Sequence, residues 1–198
     1  MTSAGIDVRP LTGADLEDHL ADVARLRMQV FRDWPYLYDG TFEYEHRYLQ
    51  SYRKSEGAVL VGAFEDDRLV GAATGTPMED HADDFAAAFA KSGYELGDIF
   101  YHAESVLLPS FRGRGIGHRF FDIREAHART LGRRYAAFCS VIRPLDHPAR
   151  PANYRPLDEF WRKRGYEKID GVLASFSWKD VGKVKEDVKQ LQFWIRAL

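Results

Sequence analysis

The stretch from Leu107 to Phe120, LLPSFRGRGIGHRF, leaves few folds open to this chain. An apolar run stops at Pro109, which has no N–H and ends strand pairing. Glycines then stand two apart at Gly113, Gly115 and Gly117, with Arg112 and Arg114 interleaved. From the last two of these glycines on, Ile116, Phe120, Ile123 and Leu131 share one helical face. Strand, glycine turn and helix together make a geometry for holding phosphate. Glycines let the backbone come close to a ligand, and free N–H groups at the helix start point at an anion. The helix dipole adds positive potential there. Arginine side chains match phosphate oxygens. A turn that only reverses the chain needs no arginines between its glycines.

Around that turn the sequence predicts alternating strands and helices in one domain over 1–198. Ile6–Pro10 reads as a strand. Thr12 with Asp15 resembles a capping box, and Leu16, Leu20, Val23, Leu26 or Arg27, Val30 and Phe31 follow at helical spacing. Trp34-Pro35 ends that helix. Thr41–Lys54 predicts a second helix. Ala58–Phe64 and Arg68–Met78 predict a hairpin, and Ala82–Lys91 a further helix. DIFYHAESVLLP reads as a strand ending at Pro109, and Gly115–Leu131 as the helix after the turn. Tyr135–Ile142 is almost wholly apolar, as a strand covered on both faces would be. LDEFWRKRGY predicts a short helix, and EKIDGVLASFSWKD and QLQFWIRAL close the chain as strands. The reading is an α/β fold with a mixed sheet of six or seven strands flanked by helices.

Composition removes other classes. The 198 residues carry 28 Lys+Arg against 30 Asp+Glu, so no basic field argues for nucleic acid. Cys139 is the single cysteine, which excludes an internal disulfide and a Cys-rich zinc site. HADDF holds metal-capable residues at 81–85 but reads as a helix start, so no metal is expected. No targeting segment and no apolar stretch of membrane-spanning length stands out, so the expected location is cytoplasmic.

The turn is neither of two familiar phosphate loops. G-x-G-x-x-G fails because the last glycine falls on His118 or Phe120, and G-x-x-x-x-G-K-[ST] is absent. Arg112 to Gly117 does spell R-x-x-G-x-G. In VLLPSFRGRGIGHRFFD this resembles the acyl-CoA-binding motif of the GNAT superfamily of N-acyltransferases. FWRKRGYEK, Phe160–Lys168, resembles that family's late helix, and the order of elements matches over nearly the whole chain.

The resemblance implies acetyl-CoA as cosubstrate. The amides of Arg112, Gly113, Arg114, Gly115, Ile116, Gly117 and His118 would hold its pyrophosphate. The pantetheine arm would pair with Val106, Leu107 and Leu108, in a wedge where their strand splays from the next. Arg119 would meet a nucleotide phosphate or stay a solvated charge. An N–H near Leu107 or Leu108 would stabilise the thioester oxyanion. The family's frequent general-acid tyrosine aligns with Trp161, which cannot release a proton, so either the Arg143–Pro156 loop brings in Tyr154 as the candidate acid or solvent protonates the thiolate.

An amine of pKa ~10.4 is free in only about one molecule in 10³ at pH 7, so a base is useful. Glu104 is the candidate base or amine-binding group, since a carboxylate among apolar strand residues is expensive unless paired or functional. A salt bridge to an arginine is the structural alternative. Alternation puts Glu104 with His102, Val106 and Leu108 on one side, so His102 is a relay or a structural histidine. Cys139 reads as a buried thiol, with an acyl-cysteine route as the rival.

On the acceptor side, Trp34, Tyr36 and Tyr38 predict an aromatic wall, with Asp39 and Glu43 nearby to favour a cationic amine. Tyr44, Tyr48 and Tyr52, at helical spacing, read as core. The function that follows is acetyl (acyl) transfer to a primary amine of a small molecule or a protein. The alternative is a catalytically degenerate CoA-binding regulatory or interaction module, which the tryptophan at 161 favours. A nucleotide-binding protein is a third class. Phe193 and Trp194 leave a homodimer open beside a core role.

Overall fold

The computed structural model describes residues 5–52 and 54–198. The first four residues, part of the stretch read for a targeting segment, and Arg53, near the end of the expected second helix, lie outside them. Along the chain run β1 (Asp7–Leu11), α1 (Gly13–Phe31), α2 (Phe42–Tyr52), β2 (Val59–Glu65), β3 (Arg68–Pro77), α3 (Ala82–Phe89), β4 (Ile99–Leu107), α4 (Ile116–Thr130), β5 (Tyr135–Val141), α5 (Asp158–Lys163), β6 (Glu167–Trp178) and β7 (Asp187–Ala197). Every strand and helix read from the sequence is present, with boundaries shifted by a few residues. The capping box is not made: Thr12 gives α1 no side-chain cap bond. Asp15 instead binds the Arg9 guanidinium of β1.

The seven strands form one sheet in the order β1-β2-β3-β4-β5-β7-β6. Only β4 and β5 run parallel; their neighbours pair antiparallel. Two irregularities in β4 shape the centre of the molecule. Thr76 pairs with Tyr101 while Thr74 pairs with Glu104. His102 and Ala103 therefore stand opposite Gly75 alone, a bulge that bends the strand and raises its twist. A side chain at Gly75 would collide with the Phe100 ring, so the bulge needs glycine there. Beyond it β4 leaves β5: their pairing covers only Ile99–Tyr101 against Tyr135–Ala137. Ser105, in mid-sheet, is consequently exposed.

Both faces of the sheet are packed. Ala136 and Phe138 of β5 join a core with Phe121, Tyr166 and Trp194. Ala137 and Cys139, facing the other way, join Phe85, Tyr101 and Phe193. That double burial is why β5 is apolar throughout. Phe193 and Trp194 are fully buried core residues and offer no docking surface. No described helix is long and apolar enough to cross a membrane.

Candidate active site

The glycine turn has the shape its sequence suggested. Gly113 and Gly115 sit at φ 77 and φ 78, and a Cβ on either would meet no atom within 4 Å. Both occupy left-handed backbone that L side chains rarely adopt, above an open concavity. The N–H of Arg119 makes the first helical bond, to Gly115 O at 3.3 Å. The N–H groups of Ile116, Gly117 and His118 precede it and have no carbonyl a turn earlier to meet. Gly117 needs no unusual φ, and a Cβ there would touch the Phe160 ring at 3.7 Å. Arg112 and Arg114 are exposed, and the Arg114 guanidinium lies 4.9 Å over Phe111 while donating to Ser110 O at 3.0 Å. His118 is exposed, and its Nδ1 lies 3.2 Å from the Arg164 guanidinium. Open amides, a helix start and exposed cations fit a diphosphate. Arg119, expected to meet a nucleotide phosphate or stay a solvated charge, is exposed and already bonded to backbone. Its guanidinium donates to Ile6 O and Val8 O, tying the helix start to the edge of the sheet.

The end of β4 leads from this turn toward the splay. Leu108 N–H donates to Val70 O at 3.0 Å, so it is spent on β3. Antiparallel alternation then aims the N–H of Leu107 the other way, toward the gap left by β5. Of the two oxyanion donors expected, only Leu107 is free to serve. Val106 and Leu108 are buried and Leu107 is half-buried.

Glu104 is 9% exposed and faces helices α1 and α2. Its Oε1 lies 2.5 Å from Arg27 Nη1, a charge contact poorly aligned as a hydrogen bond. Its Oε2 accepts the Tyr48 hydroxyl at 3.3 Å. Arg27 is also held by Glu45, so two buried carboxylates share one guanidinium. Burial opposes the Arg27 charge, but Glu104, Tyr48 and Glu45 outweigh it and its pKa lies well above the ordinary value. Tyr48 and Tyr52 hold their protons more tightly than usual, first through burial and then through Glu104. The salt bridge is therefore real, and it is part of a polar site.

The bulge reverses the expected partnership of His102. Paired residues share a face, so Glu104 and Tyr101 lie with Thr74 and Thr76 on the α1–α2 side. His102 points the opposite way, among Phe100, Phe121 and Tyr166. It is 2% exposed, and burial, then Arg124 and Arg164, pulls its pKa well below the ordinary value. It is a neutral core histidine, remote in face from Glu104. Arg124 of α4 clamps the same region from that side. Its guanidinium donates to Thr74 O and Glu104 O, each at 3.0 Å, and to Ser105 Oγ at 2.8 Å.

Loops complete the cleft. Tyr36 packs on Phe31 at 4.6 Å and stacks with Trp178 at 6.1 Å. Trp34 meets His147 at 5.1 Å and Tyr154 edge-on at 5.9 Å, so the 143–156 loop does bring a tyrosine to the wall. The buried Trp34 Nε1 has no hydrogen-bond partner among the described residues. Tyr38 pairs as a bridge with Asp180. Arg143 fastens this loop: it binds Asp180 at 2.7 and 2.8 Å and donates to Pro35 O and Tyr36 O. The remaining expectations are redistributed. Asp39 is neutralised by Arg32 and Lys179, and Glu43 and Tyr44 are exposed. Trp161 packs on Phe138 and Trp194 in the core. Cys139 touches the Tyr101 hydroxyl at 3.2 Å, and burial pushes its thiol up to about 12, which opposes an acyl-cysteine route. His81, in the HADDF stretch, bonds Thr76 Oγ1 at 2.9 Å.

Sequence reasoning missed Arg27, Glu45, Thr74, Arg143 and Asp180. Arg27 carried a faint signal, a cation at an apolar helical position. Asp180 and Arg143 lie 37 residues apart and carried none.

Comparison with known proteins agrees with this architecture. The family model for the acetyltransferase (GNAT) family matches residues 24–166. Solved structures match in fold over nearly full length. A candidate acetyltransferase from Salmonella typhimurium, solved with its cofactor acetyl-CoA, is 12% identical, with TM-score 0.61 over 98% of this chain and 94% of its own. An acetyltransferase from Thermus thermophilus is 19% identical, with TM-score 0.58 over 100% of both chains. The ribosomal-protein-alanine N-acetyltransferase of Brucella melitensis is 17% identical, with TM-score 0.58 over 97% of this chain and 99% of its own. No curated protein sequence matches. A family match across most of the chain, on a sheet that splays beside an open glycine turn, makes this chain a member of the GNAT acetyltransferase family.

Proposed function

We propose that this chain transfers an acyl group, acetyl in the first instance, from acyl-CoA to a primary amine. One observation carries the reading: the open glycine cradle at the head of α4 leads onto a splay that runs along β4 to a buried, ion-paired Glu104. When bound, acetyl-CoA supplies a thioester whose carbonyl carbon is open to attack by an amine. The amides of Gly113 to His118 hold the diphosphate, and Arg112 and Arg114 add charge at its rim. Leu107 N–H points into the splay, where developing oxyanion charge needs a donor. Glu104 Oε2 takes the proton that the acceptor ammonium must lose before its nitrogen can attack. Tyr154 is the proposed acid for the leaving thiolate, and burial, then Asp158, raises its pKa so that the hydroxyl stays protonated.

Trp34, Tyr36 and Tyr38 form the acceptor wall. The unpartnered Trp34 N–H supports this, because a buried donor without a protein acceptor is one a ligand can satisfy. One structural neighbour is named as acting on ribosomal-protein alanine, so protein amino groups stand beside small amines as acceptors. The test is thiol release from acetyl-CoA with a panel of primary amines and peptides. Acylation that falls at least ~100-fold in Glu104→Gln supports the reading. Binding of acetyl-CoA with no amine ever acylated, in wild type and Glu104→Gln alike, would replace it with the regulatory-module reading.

A further inference from the structure

Glu104 is joined to a second opening by a line of hydroxyls. Tyr48 donates to Glu104 Oε2 at 3.3 Å, and the Tyr48 and Tyr52 hydroxyls lie 2.8 Å apart. Thr74 Oγ1 donates to the Tyr52 oxygen at 3.3 Å. A phenol has one proton, and Tyr48 spends its own on Glu104, so Tyr52 donates to Tyr48. The whole line points at the carboxylate. Tyr52 also lines a pocket of about 260 Å³ together with Lys54, Ser55, Thr76, Asp80 and His81. Positions 48 and 52 are one helical turn apart, which is what sets both hydroxyls on one face of α2.

A base in this position has to be emptied after every turnover. Glu104 is almost sealed from solvent. A carboxyl that kept its proton would also forfeit its attraction to the buried Arg27. We propose that the Tyr48 and Tyr52 hydroxyls are a proton relay, carrying the proton that Glu104 takes from the acceptor ammonium out to the pocket at His81 and Asp80. This rests on the acyltransferase reading above. In the transfer the amine N–H bond breaks and an O–H bond forms at Glu104 Oε2. Once Glu104 is protonated and becomes a donor, the two hydroxyls turn to point away from it; its proton then moves to the Tyr48 oxygen as the Tyr48 proton moves to the Tyr52 oxygen. The Tyr52 proton leaves into the pocket, so both tyrosines end neutral and Glu104 is again a carboxylate.

The receiving end suits the task. Burial holds the His81 pKa below its ordinary value, against the opposing pull of Asp84, Asp80 and Glu104, so the ring is a neutral acceptor at pH 7. The other groups around it are Thr76 of β3, Tyr101 of β4, Phe85 of α3, and Tyr52 and Lys54 across the pocket.

Tyr52→Phe keeps the ring that packs edge-on against Tyr48 and removes only the hydroxyl. The test uses the full chain, acetyl-CoA and a primary alkylamine that the wild type acylates, with turnover followed at pH 7 and pH 9.5. The expected result is a kcat about 10-fold or more below wild type at pH 7, with acetyl-CoA affinity unchanged. The gap should close to roughly 2-fold at pH 9.5, where more of the amine arrives already deprotonated. His81→Gln should show the same pH-dependent gap and serves as the second variant if Tyr52→Phe does not fold. Wild-type kcat in the variants at pH 7, or an equal loss at both pH values, overturns the relay while leaving the acyltransferase reading intact. A wild type that binds acetyl-CoA but acylates no amine removes both.

Discussion

Gly115 shows how one residue can matter for binding and little for packing. Its φ of 78 suits glycine, and the space above it is open. Gly115→Val should cost roughly 1–2 kcal/mol of stability from backbone strain alone. It should also place a branched side chain where a diphosphate would sit. Calorimetry is expected to show acetyl-CoA affinity reduced by at least ~10-fold, with the melting transition still cooperative. Arg27 is the opposite case, a residue whose loss is felt through its neighbours. Its neutral replacement would leave Glu45 and Glu104 facing each other in a buried space. The sequence showed Glu104 as a carboxylate among apolar neighbours, which is a local anomaly. It did not show Arg27 as its partner, because a contact between α1 and β4 depends on how a helix packs across a sheet, and no spacing rule reports that.

Among the elements, β4 and the loops around it were legible to different degrees. The ends of β4 were readable, since proline and the glycine turn mark one of them chemically. The bulge was not, because nothing in HAES distinguishes a paired strand from one with an extra residue. Alternation therefore misplaced His102 while placing Glu104, Val106 and Leu108 together. The aromatic loop was readable as aromatic, but its fastening by Arg143 and Asp180 was not. Asp180 is 7% exposed, and although burial works against its charge, Arg143 and Lys189 hold its pKa below the ordinary carboxylate value. A depressed pKa adds stability that is present above the unfolded value near 4 and is lost as pH falls through the folded one. Asp180→Asn should accordingly destabilise the protein by about 3 kcal/mol at pH 7. That difference should shrink as pH drops below about 4. Thermal melts of both proteins across pH 3 to 7 check it, and a constant difference would assign Asp180 a packing role only.

For the molecule as a whole, the seven-stranded sheet is held together by a single parallel pairing between β4 and β5, three residues long. The antiparallel halves on either side are built from neighbouring or nearly neighbouring strands, which is why the sheet was readable as mixed from its hairpin. A ligand lying along the splay would bridge those halves. Acetyl-CoA at about 100 times its dissociation constant should add roughly 2.7 kcal/mol. For a chain of this size that is a rise of roughly 5–10 °C in Tm. The Gly115→Val protein should lose most of that rise. A melt unmoved by acetyl-CoA would argue that the two halves are not joined by it.

The splay itself has an arithmetic origin. Between the Thr76–Tyr101 and Thr74–Glu104 pairs, β3 counts one residue and β4 counts two. Removing Ala103 would equalise the count and leave Glu104 opposite Thr74, its face unchanged, but the straightened strand could then run on beside its parallel neighbour. The opening would be zipped shut with every chemically interesting side chain still in place. Indels of a single codon, which surface loops absorb freely, are thus expected to be as grave at this point as loss of the Glu104 carboxylate itself.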